Sequence, residues 1–381
     1  MDFDLTWVLW GLPLAFALGW GASRLDLRQW RVASRTAPKA YFRGLNHLLN
    51  EQQDQAIDAF IEAVQSDPDT AELHFALGNL FRRRGDYDRA VRVHEHLLVR
   101  ADLSRKDRDR AQHALALDFL KAGLLDRAEA ALHKLEGSDF EGEALLSLLS
   151  IYERSRDWPQ ARHVAERLEA AGQGSFTTRL AHYLCEAGDQ AQRQGDTIQA
   201  LASFTEASQK APALARPWLA LASLHRQAGQ ASEAMASLLQ LIQQAPQGLP
   251  LAASSLADLA RSLGRETEAR AALQAAQAQA PSLDVTEALA SLSPDETAAR
   301  LHYLNHLGRE PSLVIANQWL KGEPLSQPEA RQPIRQALDQ ASAPLKRYRC
   351  AACGFEAQQH FWQCPGCQGW DSYPARRVEE L

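Results

Sequence analysis

From Leu5 to Ser23 the chain runs 19 residues without a charge, most of them apolar. A helix of that length, at about 1.5 Å per residue, just crosses a hydrocarbon layer of roughly 30 Å. Trp7, Trp10 and Trp20 lie towards its ends, where indole rings favour the interface. A cleaved leader would want a basic start, and Asp2 and Asp4 are acidic. The run therefore predicts a single membrane-spanning anchor over residues 1–23. Gly11, Ala15 and Gly19 form a small-residue stripe along it, a surface against which a second membrane helix could pack. Arg24, Arg28, Arg31, Arg35, Lys39 and Arg43 follow, opposed only by Asp26. These charges, four of them in a basic juxtamembrane segment, 24–36, place the bulk of the chain on the cytoplasmic side.

Beyond the anchor, apolar positions recur with a helical period, and whole blocks recur at a spacing of 34. Gly44, Ala56, Phe60, Ala63 and Pro68 are matched by Gly78, Ala90, His94, Leu97 and Asp102. Weaker units follow around Ala128 and Ala161, then clearer ones at Gly188, Ala200, Phe204, Ala207 and Pro212, at Ala222, Ala234, Leu238 and Pro246, and at Ala257, Ala269, Leu273 and Pro281. Small residues at the eighth and twentieth positions let two antiparallel helices touch, and a large one at the twenty-fourth is expected to fill the gap to the next unit. This pattern resembles the tetratricopeptide repeat and predicts about seven units over 37–283. Each unit buries its apolar face only on its neighbours, so a superhelical solenoid is expected. Residues 284–345, interrupted by Pro324, Pro328, Pro333 and Pro344, read as a helical cap and a linker that either tethers the C-terminal part loosely or packs it back.

Charge changes the picture little. Forty-seven acidic and 41 basic residues leave a net −6 and no basic footprint for nucleic acid. On the first helices of the units the register places Asn79, Arg82, Arg83, Lys121, Arg193, Arg226 and Arg261. Singly each would serve to solvate a helix face; together they are the candidate groove for an acidic or extended peptide. His302 and His306 are four apart but lack a third ligand, and Cys185 reads as a small helix residue. The charged run Arg100 to Arg110, where the repeat spacing stretches by four residues, reads as a longer solvated loop. No phosphate-cradling loop or nucleophile motif appears, so the chain is expected not to be an enzyme.

The sharpest chemistry lies near the end: Cys350-x-x-Cys353 and Cys364-x-x-Cys367, two knuckles repeating at a spacing of 14. Two such turns can aim four thiolates at one tetrahedral ion, iron or zinc. Tyr348, Phe355, Trp362 and Trp370 are expected to form an aromatic shell around it. A module over 346–381 is too small to build its own core, so the metal is expected to supply its folding energy.

The anchor, the repeats, the four cysteines and the stretches Tyr41 to Phe60 and Glu72 to Gly85 resemble the lipopolysaccharide assembly protein B (LapB/YciM) family of Gram-negative bacteria. The resemblance implies an all-α repeat protein of the inner membrane with a rubredoxin-like metal module on Cys350, Cys353, Cys364 and Cys367. It further implies an adaptor that binds the deacetylase LpxC, promotes its destruction by the membrane protease FtsH, and is opposed by an inner-membrane antagonist, alongside other lipopolysaccharide assembly proteins. Homo-oligomers remain open on this reading. The alternatives are a membrane-anchored electron carrier, for which the metal would have to be iron, a redox-sensing protein, and a pure scaffold for lipopolysaccharide enzymes.

Overall fold

A computed structural model describes residues 15–20, 39–66, 70–321, 323 and 328–381. Most of the predicted anchor, Gly11 and the whole basic segment 24–36 lie outside the described residues. Ala15 and Gly19 fall in a helical stretch, residues 15–20, and nothing lies within 4 Å of a methyl group placed on Gly19. No helix among the described residues is long and apolar enough to cross a membrane.

By internal contacts the chain divides into two units, Met1–Ile151 and Tyr152–Leu381. In the first, helices pair as Lys39–Leu49 with Gln53–Ser66, Ala71–Arg84 with Tyr87–Val99, and Arg105–Lys121 with Leu125–His133. The small-residue rule has a direct geometric cause here. A methyl group on Gly44 would meet the Phe60 ring at 2.8 Å, and one on Gly78 would meet the His94 imidazole at 2.5 Å. The large residue thus lies on the glycine of its own unit, not only against the next one as the spacing suggested. Chain reversal between paired helices uses a left-handed residue, Gly85 at φ +87° and Gly123 at φ +77°, which glycine adopts without the Cβ penalty. The charged run Arg100 to Arg110 is mostly not a loop. Ser104 caps the helix at Asp107, and the extra residues lengthen Arg105–Lys121 to 17 residues.

In the second unit the pairs continue as Thr177–Arg193 with Thr197–Lys210, Ala215–Gln227 with Ala231–Gln244, and Leu249–Leu263 with Glu266–Gln279. Ala215, Leu249 and Leu283 open the first helices of successive pairs at a spacing of 34, so Leu283–Ser291 and Glu296–Leu307 carry the register onward. Leu313–Lys321 and Pro328–Ser342 follow, the latter accommodating Pro333 within the helix. These helices pack together: Asn317 donates to Asp339 at 2.8 Å and Ser342 at 3.3 Å, and Leu345 joins the cluster of Leu283, Val314 and Ile315. The C-terminal module adds the only strands among the described residues, a hairpin pairing Tyr348–Arg349 with Glu356–Ala357.

Candidate metal centre

Two turns of the same design carry the four cysteines. In the first, the Cys350 amide donates to the Phe355 carbonyl at 2.9 Å and the Gly354 amide to the Cys350 carbonyl at 2.9 Å. In the second, Cys364 donates to Gly369 at 2.9 Å and Gln368 to the Cys364 carbonyl at 2.8 Å. Both need a left-handed residue after the second cysteine: Gly354 has φ +78°, and Gln368 adopts φ +60°. The Gly366 amide points at the Cys364 sulfur, 3.4 Å away.

The result gathers all four sulfurs within 4.8 Å of one another. Cys350 and Cys367 are 3.8 Å apart, Cys353 and Cys364 3.7 Å. A tetrahedron of thiolates about 2.3 Å from one ion has an edge of about 3.8 Å, so the set fits a single tetrahedral metal. Among the described residues it is the one cluster of histidine, cysteine or carboxylate that could hold a metal ion. Bound there, the metal would join the two turns; iron would add one-electron chemistry and zinc would not. Cys350 and Cys364 are buried, Cys353 and Cys367 exposed.

The aromatic shell is not the one expected. Tyr348 and Tyr373 pack with the buried cysteines, joined by Phe361 and Leu251, while Phe355 is 45% exposed. Trp370 instead leaves the module and enters the repeats. Its ring stacks on His182 with centroids 4.6 Å apart, and Trp158 and Tyr183 meet it edge-on at 6.1 Å. Its indole N–H donates to Glu153 at 3.0 Å, and the Tyr183 hydroxyl donates to the same carboxylate.

Next to it the imidazole of His182, wholly buried, reaches both carboxylate oxygens of Asp371 at 2.9 Å through Nε2. Its Nδ1 lies 3.4 Å from a guanidinium nitrogen of Arg216. A guanidinium can only donate, so Nδ1 accepts and the ring proton sits on Nε2, directed at Asp371. Arg216 also donates to Glu186 at 2.7 Å and Asp189 at 2.9 Å. Burial lowers the His182 pKa below its usual value, against the raising influence of Asp371. Cys185 lies in the same region, and burial pushes its thiol up to about 12, which leaves it inert.

The chain ends by capping helices. Glu379 accepts from the Ser312 hydroxyl at 2.7 Å and the Val314 amide at 3.2 Å. Glu380 accepts from the Leu283 amide at 2.9 Å. Arg377 pairs with Asp284 at 2.7 Å, lies 4.2 Å over the Tyr348 ring and donates to the Lys346 carbonyl at 2.9 Å. None of these tail contacts was visible in the sequence, where Arg376 to Leu381 is simply a charged end. The one available signal was the acidic pair itself, since carboxylates suit helix N-termini.

The expected groove residues are scattered in role. In the first unit Arg82 donates to Asp118 at 2.9 Å, to the Ala114 carbonyl at 3.1 Å and to Asn79. Asp118 is fully buried and also meets His94, so Asn79 and Arg82 belong to an internal network. Arg83 and Lys121 are exposed. In the second unit Arg193 and Arg226 are exposed, and Arg261 pairs with Asp258 at 2.7 Å. The histidine pair also separates in role: His306 is buried and bonded to Thr286 at 2.9 Å, with no third ligand among the described residues.

Comparison with known proteins joins these parts. The rubredoxin metal binding domain family matches residues 348–373, and tetratricopeptide repeat families match 73–109 and 191–259. Lipopolysaccharide assembly protein B of Haemophilus influenzae is 27% identical over 95% of this chain and 96% of its own. Among solved structures, a tetratricopeptide repeat protein from Parabacteroides merdae aligns at 13% identity and TM-score 0.34 over 67% of this chain and 97% of its own, too loosely to add to the family match. Lipopolysaccharide assembly protein B of Escherichia coli strain K12 is 31% identical over 97% of this chain and 98% of its own, and the chain belongs to this family.

Proposed function

We propose that the protein is a non-enzymatic adaptor in lipopolysaccharide assembly, held in the inner membrane by the apolar run Leu5 to Ser23. Its repeats and metal module receive the deacetylase LpxC and bring it to the protease FtsH. The observation that carries this reading is the end-to-end match to a relative named for lipopolysaccharide assembly, which spans repeats and cysteine module together. Physical support comes from the way Trp370, Asp371 and the terminal glutamates engage the repeats, so that one partner could meet both surfaces. Proximity is mechanism enough: anchoring receptor and protease in one membrane raises their effective concentration without new chemistry. The test is the cellular half-life of the deacetylase with the intact protein, without it, and with a Cys350→Ser/Cys353→Ser variant. The reading predicts a longer half-life in both altered strains. An unchanged half-life on complete loss would refute delivery for proteolysis.

A further inference from the structure

Successive first helices of the second unit start at Ala215, Leu249, Leu283 and Leu313. The last two starts are capped by carboxylates from the tail, Glu380 at Leu283 and Glu379 at Leu313 and Val314. The helices from Ala215 and Leu249 receive no side-chain cap. Beside them lie two cavities of about 480 and 300 Å³. Gln247 and Arg376 line both, so the cavities adjoin. Leu214, Leu251 and Tyr373 give the larger one an apolar wall.

Two further observations, one at the Leu283 helix start and one on the tail, point to a ligand. Ser282 lines the smaller cavity at 2% exposure, and its hydroxyl has no hydrogen-bond partner. Arg376, from the same tail that supplies the two glutamates, makes no ion pair or hydrogen bond with a described residue. A spare buried hydroxyl and a cation beside an apolar wall complement a carboxylate on an extended, partly apolar segment.

We propose that this groove binds an extended acidic peptide segment of a partner protein, in the manner in which the chain's own tail sits on the next two helix starts. The surface differs from the arginine face expected from the repeat register, and it names no partner, so it stands or falls apart from the lipopolysaccharide reading.

The test uses the full metal-loaded chain in detergent and fluorescence anisotropy of a labelled peptide, Gly-Val-Glu-Glu-Leu-Gly, against its Gln-Gln counterpart. Saturable binding is expected, at least tenfold weaker for the Gln-Gln peptide and at least tenfold weaker with Arg376→Glu or with Ala213→Trp, which fills the larger cavity. Circular dichroism and metal content report that each variant is folded. Absence of binding, equal binding of the two peptides, or indifference to both variants overturns the proposal. Displacement by an equal concentration of inorganic phosphate would reveal an anion site only, and would overturn it as well. If Glu380→Gln raises the affinity while Arg376→Glu leaves it unchanged, the peptide has displaced the tail and the proposal fails.

Discussion

Gly188 shows how one residue sets the distance between two helices. A methyl group there would meet the Phe204 ring at 2.4 Å, with no relief from backbone strain because the residue is helical. Gly188→Ala is therefore expected to cost about 2 kcal/mol through overpacking, read as a lower midpoint in chemical denaturation. Gly85→Ala is a contrast: nothing lies within 4 Å of its added methyl, and the cost of about 1 kcal/mol comes from φ +87° alone. In a Phe204→Ala background the cost of Gly188→Ala should fall while that of Gly85→Ala stays the same; an unchanged cost at Gly188 would make the contact explanation wrong. Arg82 makes a different point. Its sequence position reads as a groove residue, yet its guanidinium holds the buried Asp118. Arg82→Ala should destabilise by about 3 kcal/mol, because it leaves a buried carboxylate short of its charge partner. A denaturation midpoint within error of wild type would return Arg82 to the groove. Spacing revealed which residues were small, large or basic. It could not reveal which arginine finds an acid 36 positions away.

Helices were legible because each repeat writes its own apolar period and turn glycine. Their ends along one edge were not, because the caps come from a tail close to 100 residues distant, Glu380 on Leu283. Glu379→Gln and Glu380→Gln should each cost about 1 kcal/mol, seen as faster amide exchange in the first turns of Leu313–Lys321 and Leu283–Ser291 respectively. Unchanged exchange would show that the caps contribute nothing. His182 sets a pH limit on the seat of the module. Its folded pKa lies below the usual value of about 6.5, so the imidazole of the unfolded chain takes the proton first as pH falls. The contribution is complete above about pH 6.5 and is lost as pH drops through the lower folded value. A proton on Nδ1 would also face the Arg216 guanidinium. Trp370 fluorescence, isolated by difference from Trp370→Phe, should report undocking on acidification, and His182→Gln should flatten that profile. A profile identical in the two proteins would remove His182 from the account.

At the scale of the molecule, the metal centre was the most legible part, because four cysteines at fixed spacing leave few other roles. What spacing could not show is that the module is seated on the repeats. That seat depends on Trp370, which reads as one more aromatic near a metal, and on His182 and Glu153, which read as ordinary helix residues. On this reading the metal builds the module, and the module completes the repeats beneath it. Hydrogen exchange on the full chain in detergent, comparing wild type with Cys350→Ser/Cys353→Ser, tests this most directly. Loss of bound metal is expected, with faster exchange both in residues 346–381 and in the helices Thr177–Arg193 and Leu283–Ser291, and Ala71–Arg84 unchanged. Retention of metal, or loss of metal with those two helices as protected as before, would contradict it.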